Sequence, residues 1–215
     1  MAQKYNEYYL SWEEINKIIA AAKNRKQELI LKILAHTGMR RFELRNLKVS
    51  DIDFERKRLY IRHGKGSSKN DPRSRSAPID GATLRDIRFY LDARRTGFLI
   101  QSNKKGSEGI SLSQINRIIA SCAEKAGISN PNPKLKHLNP HIFRHSFARL
   151  ALASGVPFNM VQKICGHRDA RTTLQMYGVP SVDDTQEVYE DKLVGNFNKK
   201  APENSDSLLT EFDKK

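Results

Sequence analysis

Apolar residues recur along this chain with two different periods, and the switch between them outlines the architecture. SWEEINKIIAAA (11–22) spaces its isoleucines for one face of a helix. Ser11 is placed to cap that helix, and Glu14 completes a capping box. QELILKILAH (27–36) continues at helical spacing until Thr37-Gly38 stops it, and RRFELRNL (40–47) restarts a helix. The period then shortens. Leu59 and Ile61 alternate with Arg58, Tyr60 and Arg62, as in a half-buried strand. GKGSSKNDPRSRS reads as a long polar turn, and SAPI (76–79) as the returning strand of a basic hairpin.

Helical spacing resumes in TLRDIRFYLDARR (83–95), with Leu84, Ile87 and Leu91 on one face. It resumes again in SLSQINRIIASCAEKAG (111–127), capped by Ser111 or Ser113 and stopped at Gly127. The breakers in NPNPKLKHLNP predict a loop. HIFRHSFARLALASG (141–155) and PFNMVQKICGH (157–167) predict two more helices, each closed by a glycine. An acidic amphipathic helix is expected over 182–194, before a mobile tail at 199–215. The predicted fold class is mainly α with a small antiparallel β-sheet (α+β).

Charge changes the picture more than size does. The 215 residues carry a formal charge of +14. Residues 183–215 hold 5 Lys/Arg against 9 Asp/Glu, a net of −4, so residues 1–182 carry +18. A field of that sign on a small body suits a polyanionic partner. The two cysteines, Cys122 and Cys165, have no metal-ligand spacing and read as reduced, buried thiols. No apolar run reaches the roughly 20 residues of a membrane helix, and the N-terminus lacks a signal-peptide core, so a cytoplasmic protein is expected.

Six polar residues stand where packing alone would not place them. Arg40 follows the Thr-Gly stop. Lys65 lies between two glycines in the basic turn. His141 and Arg144 share a helix face, His167 follows a helix-closing glycine, and Tyr177 comes ten residues later. Singly, each has an ordinary structural explanation. Together they suit phosphoryl transfer to a phenol. Two guanidiniums can grip the non-bridging oxygens of a phosphodiester. A lysine can protonate a leaving alkoxide, and a histidine can take the phenolic proton. Zinc on His141 and His145 is disfavoured, because Arg144 stands where a metalloprotease helix carries a glutamate. No metal or cofactor is expected.

AHTGMRRFELRNLKVSDIDF, HGKG with its basic turn, HIFRHSFA, ICGH and TTLQMY occur in that order, and they resemble the boxes of the tyrosine recombinase (phage-type integrase) family. The resemblance covers about residues 7–195. It implies the catalytic-domain fold of DNA breaking-rejoining enzymes, with a domain over 1–198 and no N-terminal core-binding domain. It implies metal-free site-specific strand cleavage and rejoining through a 3′-phosphotyrosyl intermediate, releasing a 5′-hydroxyl. In that reading Arg40 and Arg144 bind the scissile phosphate, Lys65 is the general acid, and His141 accepts a proton or binds phosphate. His167 bonds the phosphate or the phenol, Tyr177 is the nucleophile, and Glu43 orients the catalytic groups. Arg45, Lys69, Arg73, Arg75, Lys134, Lys136, Arg168 and Arg171 are candidate DNA contacts. The implied partners are double-stranded DNA and three further copies of the chain on it, with a monomer when free. Two departures stand out: Cys165 replaces an aliphatic residue before Gly166, and the His167–Tyr177 spacing is one residue longer than usual. A helix-turn-helix regulator and a type IB topoisomerase are the rival readings.

Overall fold

The computed structural model describes residues 8–62, 74–102 and 109–166. All belong to one compact unit, Met1–Tyr177; a second, Gly178–Lys215, lies outside the described residues. So do the predicted acidic helix and tail.

Helix α1 (Trp12–Ala20) begins at the predicted capping box. The Ser11 hydroxyl accepts the Glu14 N–H at 3.1 Å, and the Glu14 carboxylate accepts the Ser11 N–H at 2.8 Å. Helix α2 (Arg25–Thr37) starts earlier than its apolar pattern suggests, because Asn24 caps it. Leu29, Ile30, Leu31, Ile33, Leu34 and Ala35 are all buried. A helix apolar on so many sides must be wrapped, and α1, α4 (Gly81–Leu91), α5 (Leu112–Lys125) and α6 (Pro140–Ala153) all pack on it. It ends on Gly38 at φ 59°. The short helix α3 (Arg41–Asn46) follows at once, and α7 (Phe158–Cys165) packs on α6.

The sheet has three antiparallel strands in the order β1 (Ile52–Asp53), β2 (Arg58–Ile61), β3 (Arg75–Pro78). Leu59 and Ile61 face the core as their alternation predicts. Two differences from the sequence reading matter. The strand β1 and the 3-10 turn before it, Val49–Asp51, were not expected; two residues are too few to show a period. The returning strand begins at Arg75 rather than Ser76, pairing Ile61 with Arg75 and Leu59 with Ala77. Residues opposite one another share a face, so Arg75 is directed to the core side. The hairpin tip lies outside the described residues.

Both cysteines are free and buried. No described helix is long and apolar enough to cross a membrane. The N-terminal segment is tied to α6 by one buried hydroxyl: Ser146 Oγ accepts the Leu10 N–H at 2.8 Å and donates to the Ile142 carbonyl at 2.7 Å.

Asp80 joins α2 to α4. Its carboxylate caps α4 through the Thr83 N–H and hydroxyl and bonds His36 Nδ1 at 2.8 Å. Burial pushes its pKa up, but the Thr83 donors and His36 outweigh that and bring it from 3.8 to about 2. A lowered carboxylate pKa adds stability that is complete above the unfolded value and lost as pH falls through the folded one. Asp80→Ala should therefore cost about 1 kcal/mol at neutral pH. In urea melts the gap from the parent should close as pH falls from 3.8 towards 2; a gap that persists at pH 2 would mean the carboxylate's charge is not what matters.

Candidate active site

The site forms where α7 ends. The final carbonyls of an α-helix have no partner within it, and its C-terminus carries a partial negative charge. In α7, three successive carbonyls are met by three guanidiniums. Arg75 Nε donates to the Ile164 carbonyl at 2.8 Å, Arg144 to the Cys165 carbonyl at 2.6 Å, and Arg40 to the Gly166 carbonyl at 3.5 Å. The three come from β3, from α6 and from the α2–α3 corner. Arg144 also donates to the Gly38 carbonyl at 2.7 Å, so the ends of α2 and α7 converge on it.

Glu43 binds the cluster together. Its backbone lies in the first turn of α3, where a carboxylate is favoured. One carboxylate oxygen accepts the Arg40 backbone N–H at 2.6 Å and an Arg75 donor at 2.8 Å. The other accepts Arg75 at 2.6 Å and the Arg40 side chain at 3.1 Å. Burial pushes the Glu43 carboxyl up, and the bonds and charge of Arg75, with those of Arg40, more than reverse it, leaving the pKa below its usual value. Three cations against one carboxylate leave a positive excess in a largely dry setting, where charges are weakly screened. Burial, opposed by Cys165 and Glu43 and aided by Arg40 and Arg75, lowers the Arg144 pKa to about 10, so it stays charged at neutral pH.

The three arginines differ in access. Arg144 is 7% exposed, and the Arg75 side chain 10%; the Arg40 side chain is 41% exposed. Arg40 is thus the open face of the cluster. His141 stands one helical turn before Arg144, at the exposed start of α6, behind the Asn139 cap. Burial, then the charges of Arg41, Arg144 and Arg40, lower its pKa. The ring is neutral at pH 7 and able to accept a proton. The arrangement suits an oxyanion: guanidinium donors at its floor and rim, with a neutral imidazole beside them.

Of the catalytic set read from sequence, the fold brings together Arg40, Glu43, His141 and Arg144. Lys65, His167 and Tyr177 lie outside the described residues, as do Lys69, Arg73, Arg168 and Arg171 among the candidate DNA contacts. Arg45, Lys134 and Lys136 are exposed. Arg75, also among those candidates, has its guanidinium engaged at all three nitrogens by Glu43 and the Ile164 carbonyl. A signal for this existed: Arg75 lies two residues before buried Ala77, so strand parity places both on one face.

A family model described as the phage integrase family matches residues 9–182. The chain is 36% identical over 174 residues to the tyrosine recombinase XerA of Pyrococcus furiosus, covering 78% of this chain and 56% of that one. It is 29% identical over 194 residues to the tyrosine recombinase XerC of Oceanobacillus iheyensis, covering 84% and 59%. A crystal structure of XerA recombinase superposes with a TM-score of 0.66 at 30% identity, over 85% of this chain and 64% of that one. The XerH site-specific recombinase bound to its difH substrate gives 0.67 at 21% identity, over 88% and 55%, a likeness of fold. The chain thus spans a little over half the length of these curated relatives.

Gly166 closes α7 at φ 68°, and a Cβ there would stand 2.8 Å from Arg75 Cδ. Gly127 closes α5 at φ 69° with nothing within 4 Å of its would-be Cβ. Alanine in the left-handed region costs about 1–2 kcal/mol at either position. Gly166→Ala should cost more than Gly127→Ala by a further ~1–3 kcal/mol, because Arg75 must leave its partners. Chemical denaturation measures both; equal costs would show that Arg75 is not held in place.

Proposed function

This chain belongs to the phage integrase family, the tyrosine recombinases, and from that premise we propose that it breaks and rejoins DNA strands site-specifically, with Tyr177 as nucleophile. The observation that carries the reading is the convergence of Arg40, Arg144 and His141 beside the helix end that leads into His167. The Tyr177 oxygen attacks the phosphorus and the bond to the 5′-oxygen breaks. Lys65 gives that oxygen its proton, and His141 takes the phenolic one. His167 bonds the phosphate or the phenol. Arg40 and Arg144 hold the non-bridging oxygens, whose charge rises in the transition state; losing such a donor costs about 10²–10³ in rate. The 3′-phosphotyrosyl bond keeps the energy of the broken phosphodiester, so rejoining by the 5′-hydroxyl requires neither ATP nor metal.

Double-stranded DNA is the proposed partner. The +18 carried by residues 1–182 supports it and implies strongly salt-dependent binding. The exposed Arg45, Lys134 and Lys136 are candidate phosphate contacts, together with Lys69, Arg73, Arg168 and Arg171. Four copies are proposed to hold two duplexes, linked by the acidic segment 182–194 docking on a neighbouring copy. That segment offers Val182, Val188, Leu193 and Val194 as apolar contacts, and Asp183, Asp184 and Glu187 as charge for a basic neighbour.

The test is a pool of nicked duplexes of randomised sequence. Where a strand is cut beside a nick, the short 5′-hydroxyl fragment diffuses away and the protein stays covalently attached. Wild type should give an adduct stable to denaturing gels, insensitive to EDTA. Tyr177→Phe should bind DNA and give none. The fall in rate on acidification should come at a lower pH than an ordinary histidine would give, since burial and the neighbouring arginines lower the His141 pKa. Lys65→Ala should be slow on the oxygen ester and recover when the leaving atom is sulfur. An adduct with Tyr177→Phe refutes the assignment.

Deleting residues 182–215 should preserve this single-site cleavage and impair assembly and strand exchange, read by native electrophoresis of protein–DNA complexes. Undiminished exchange by the shortened chain would remove the docking role.

A further inference from the structure

An arginine and a glutamate three residues apart at the start of a helix are positioned to close on each other. A guanidinium and a carboxylate left alone form a two-bond fork, which is their strongest arrangement. Arg40 and Glu43 have not done so. Arg75 occupies the fork, with its two terminal nitrogens on the two carboxylate oxygens at 2.6 and 2.8 Å. Arg40 is left with one longer side-chain bond to Glu43, of 3.1 Å, while the second oxygen also accepts its backbone N–H. One carboxylate therefore fixes two arginines unequally. The inner one is bonded at all three nitrogens with a side chain only 10% exposed, and the outer one keeps a side chain 41% exposed.

We propose that Arg75 is a positioning residue that occupies the Glu43 carboxylate and thereby keeps Arg40 open to the substrate phosphate. This rests on the phosphodiester reading above. Two physical effects work in the same direction. Geometrically, the fork leaves Glu43 no arrangement in which it can take both Arg40 nitrogens. Electrostatically, the Arg75 charge cancels that of Glu43, so an approaching phosphate meets Arg40 without a neighbouring carboxylate repelling it. Arg75 is itself held by the Ile164 carbonyl and by contact with Gly166, which admits no Cβ beside it. Gly166 directly precedes His167, so the same side chain ties β3 and the hairpin to the end of α7.

A brace and a carboxylate-occupying residue behave differently when Glu43 is neutralised. If Arg75 only braces the fold, removing the Glu43 charge as well does further damage. If Arg75 occupies Glu43, the second change releases Arg40 again. The experiment titrates inorganic phosphate into the full chain and follows Arg40 side-chain NMR signals, assigned with Arg40→Lys. The variants are Arg75→Met, Arg75→Lys and Arg75→Met with Glu43→Gln, each checked for folding by circular dichroism. Arg75→Met should weaken phosphate binding at Arg40 by roughly tenfold or more, the scale of a lost bond to a charged group. Adding Glu43→Gln should restore it to within about threefold. Arg75→Lys should fall between, because an ammonium supplies charge but cannot span both oxygens.

A folded Arg75→Met chain that binds phosphate as tightly as wild type overturns the proposal. So does a double variant no better than the single one. If Arg75→Met does not fold, the same comparison is made by adding Glu43→Gln to Arg75→Lys: a gain supports the proposal, and no gain overturns it. Covalent adduct formation is scored separately. Wild type without an adduct, but with rescue in the phosphate titration, refutes DNA cleavage alone. A wild-type adduct without rescue refutes the positioning role alone.

Discussion

Three guanidiniums and one carboxylate gathered at the carbonyl end of an eight-residue helix impose a constraint that most of the described fold satisfies. Like charges this close repel, and each loses hydration on burial. The assembly holds because acceptors meet the three guanidiniums. The Gly38, Ile164, Cys165 and Gly166 carbonyls take the arginines, and Glu43 takes two of them at once. The buried helix α2 supplies the rigid wall from which Gly38 and Arg40 project. The sheet brings Arg75 in from the far side. Each of the two glycine stops that frame the cluster has a side chain where its Cβ would be, Phe147 at Gly38 and Arg75 at Gly166.

The helical skeleton was legible because its signals are local. Ser11 with Glu14, the Thr37-Gly38 stop and the i, i+3, i+7 spacing of Leu84, Ile87 and Leu91 each act within a turn or two. Strand parity was also legible at Leu59 and Ile61. The misplaced elements depended on partners distant in the chain. Strand β1 exists only because Ile52 and Asp53 pair with Leu59 and Arg58. Helix α4 is the exception, because its start at Gly81 follows from a local cap in which Asp80 accepts the Thr83 N–H.

The same division runs through the site. Arg40, Glu43, His141 and Arg144 could be listed from the sequence because they sit in recognisable local boxes. What the sequence did not show is how they share one another. Arg75 reads as one more cation in a basic turn unless the parity of Ala77 is carried back to it, and the Ile61–Arg75 register turns it toward Glu43. A local pattern identifies which residues carry charge; the long-range packing decides which of those charges face each other and which face the solvent. Of the three arginines on the helix end, only Arg40 keeps a substantially open side chain.

The central claim is that this cluster serves a phosphodiester attacked by Tyr177. Its most direct test is to digest the trapped protein–DNA adduct with nuclease and trypsin and locate the remaining nucleotide by fragmentation mass spectrometry. The peptide Thr172–Lys192 contains both Tyr177 and Tyr189, so the fragment series must separate them. A nucleotide joined through its 3′-phosphate to Tyr177 is the predicted result. Attachment at Tyr189, attachment through a 5′-phosphate, or an adduct on a residue outside this peptide would contradict the account.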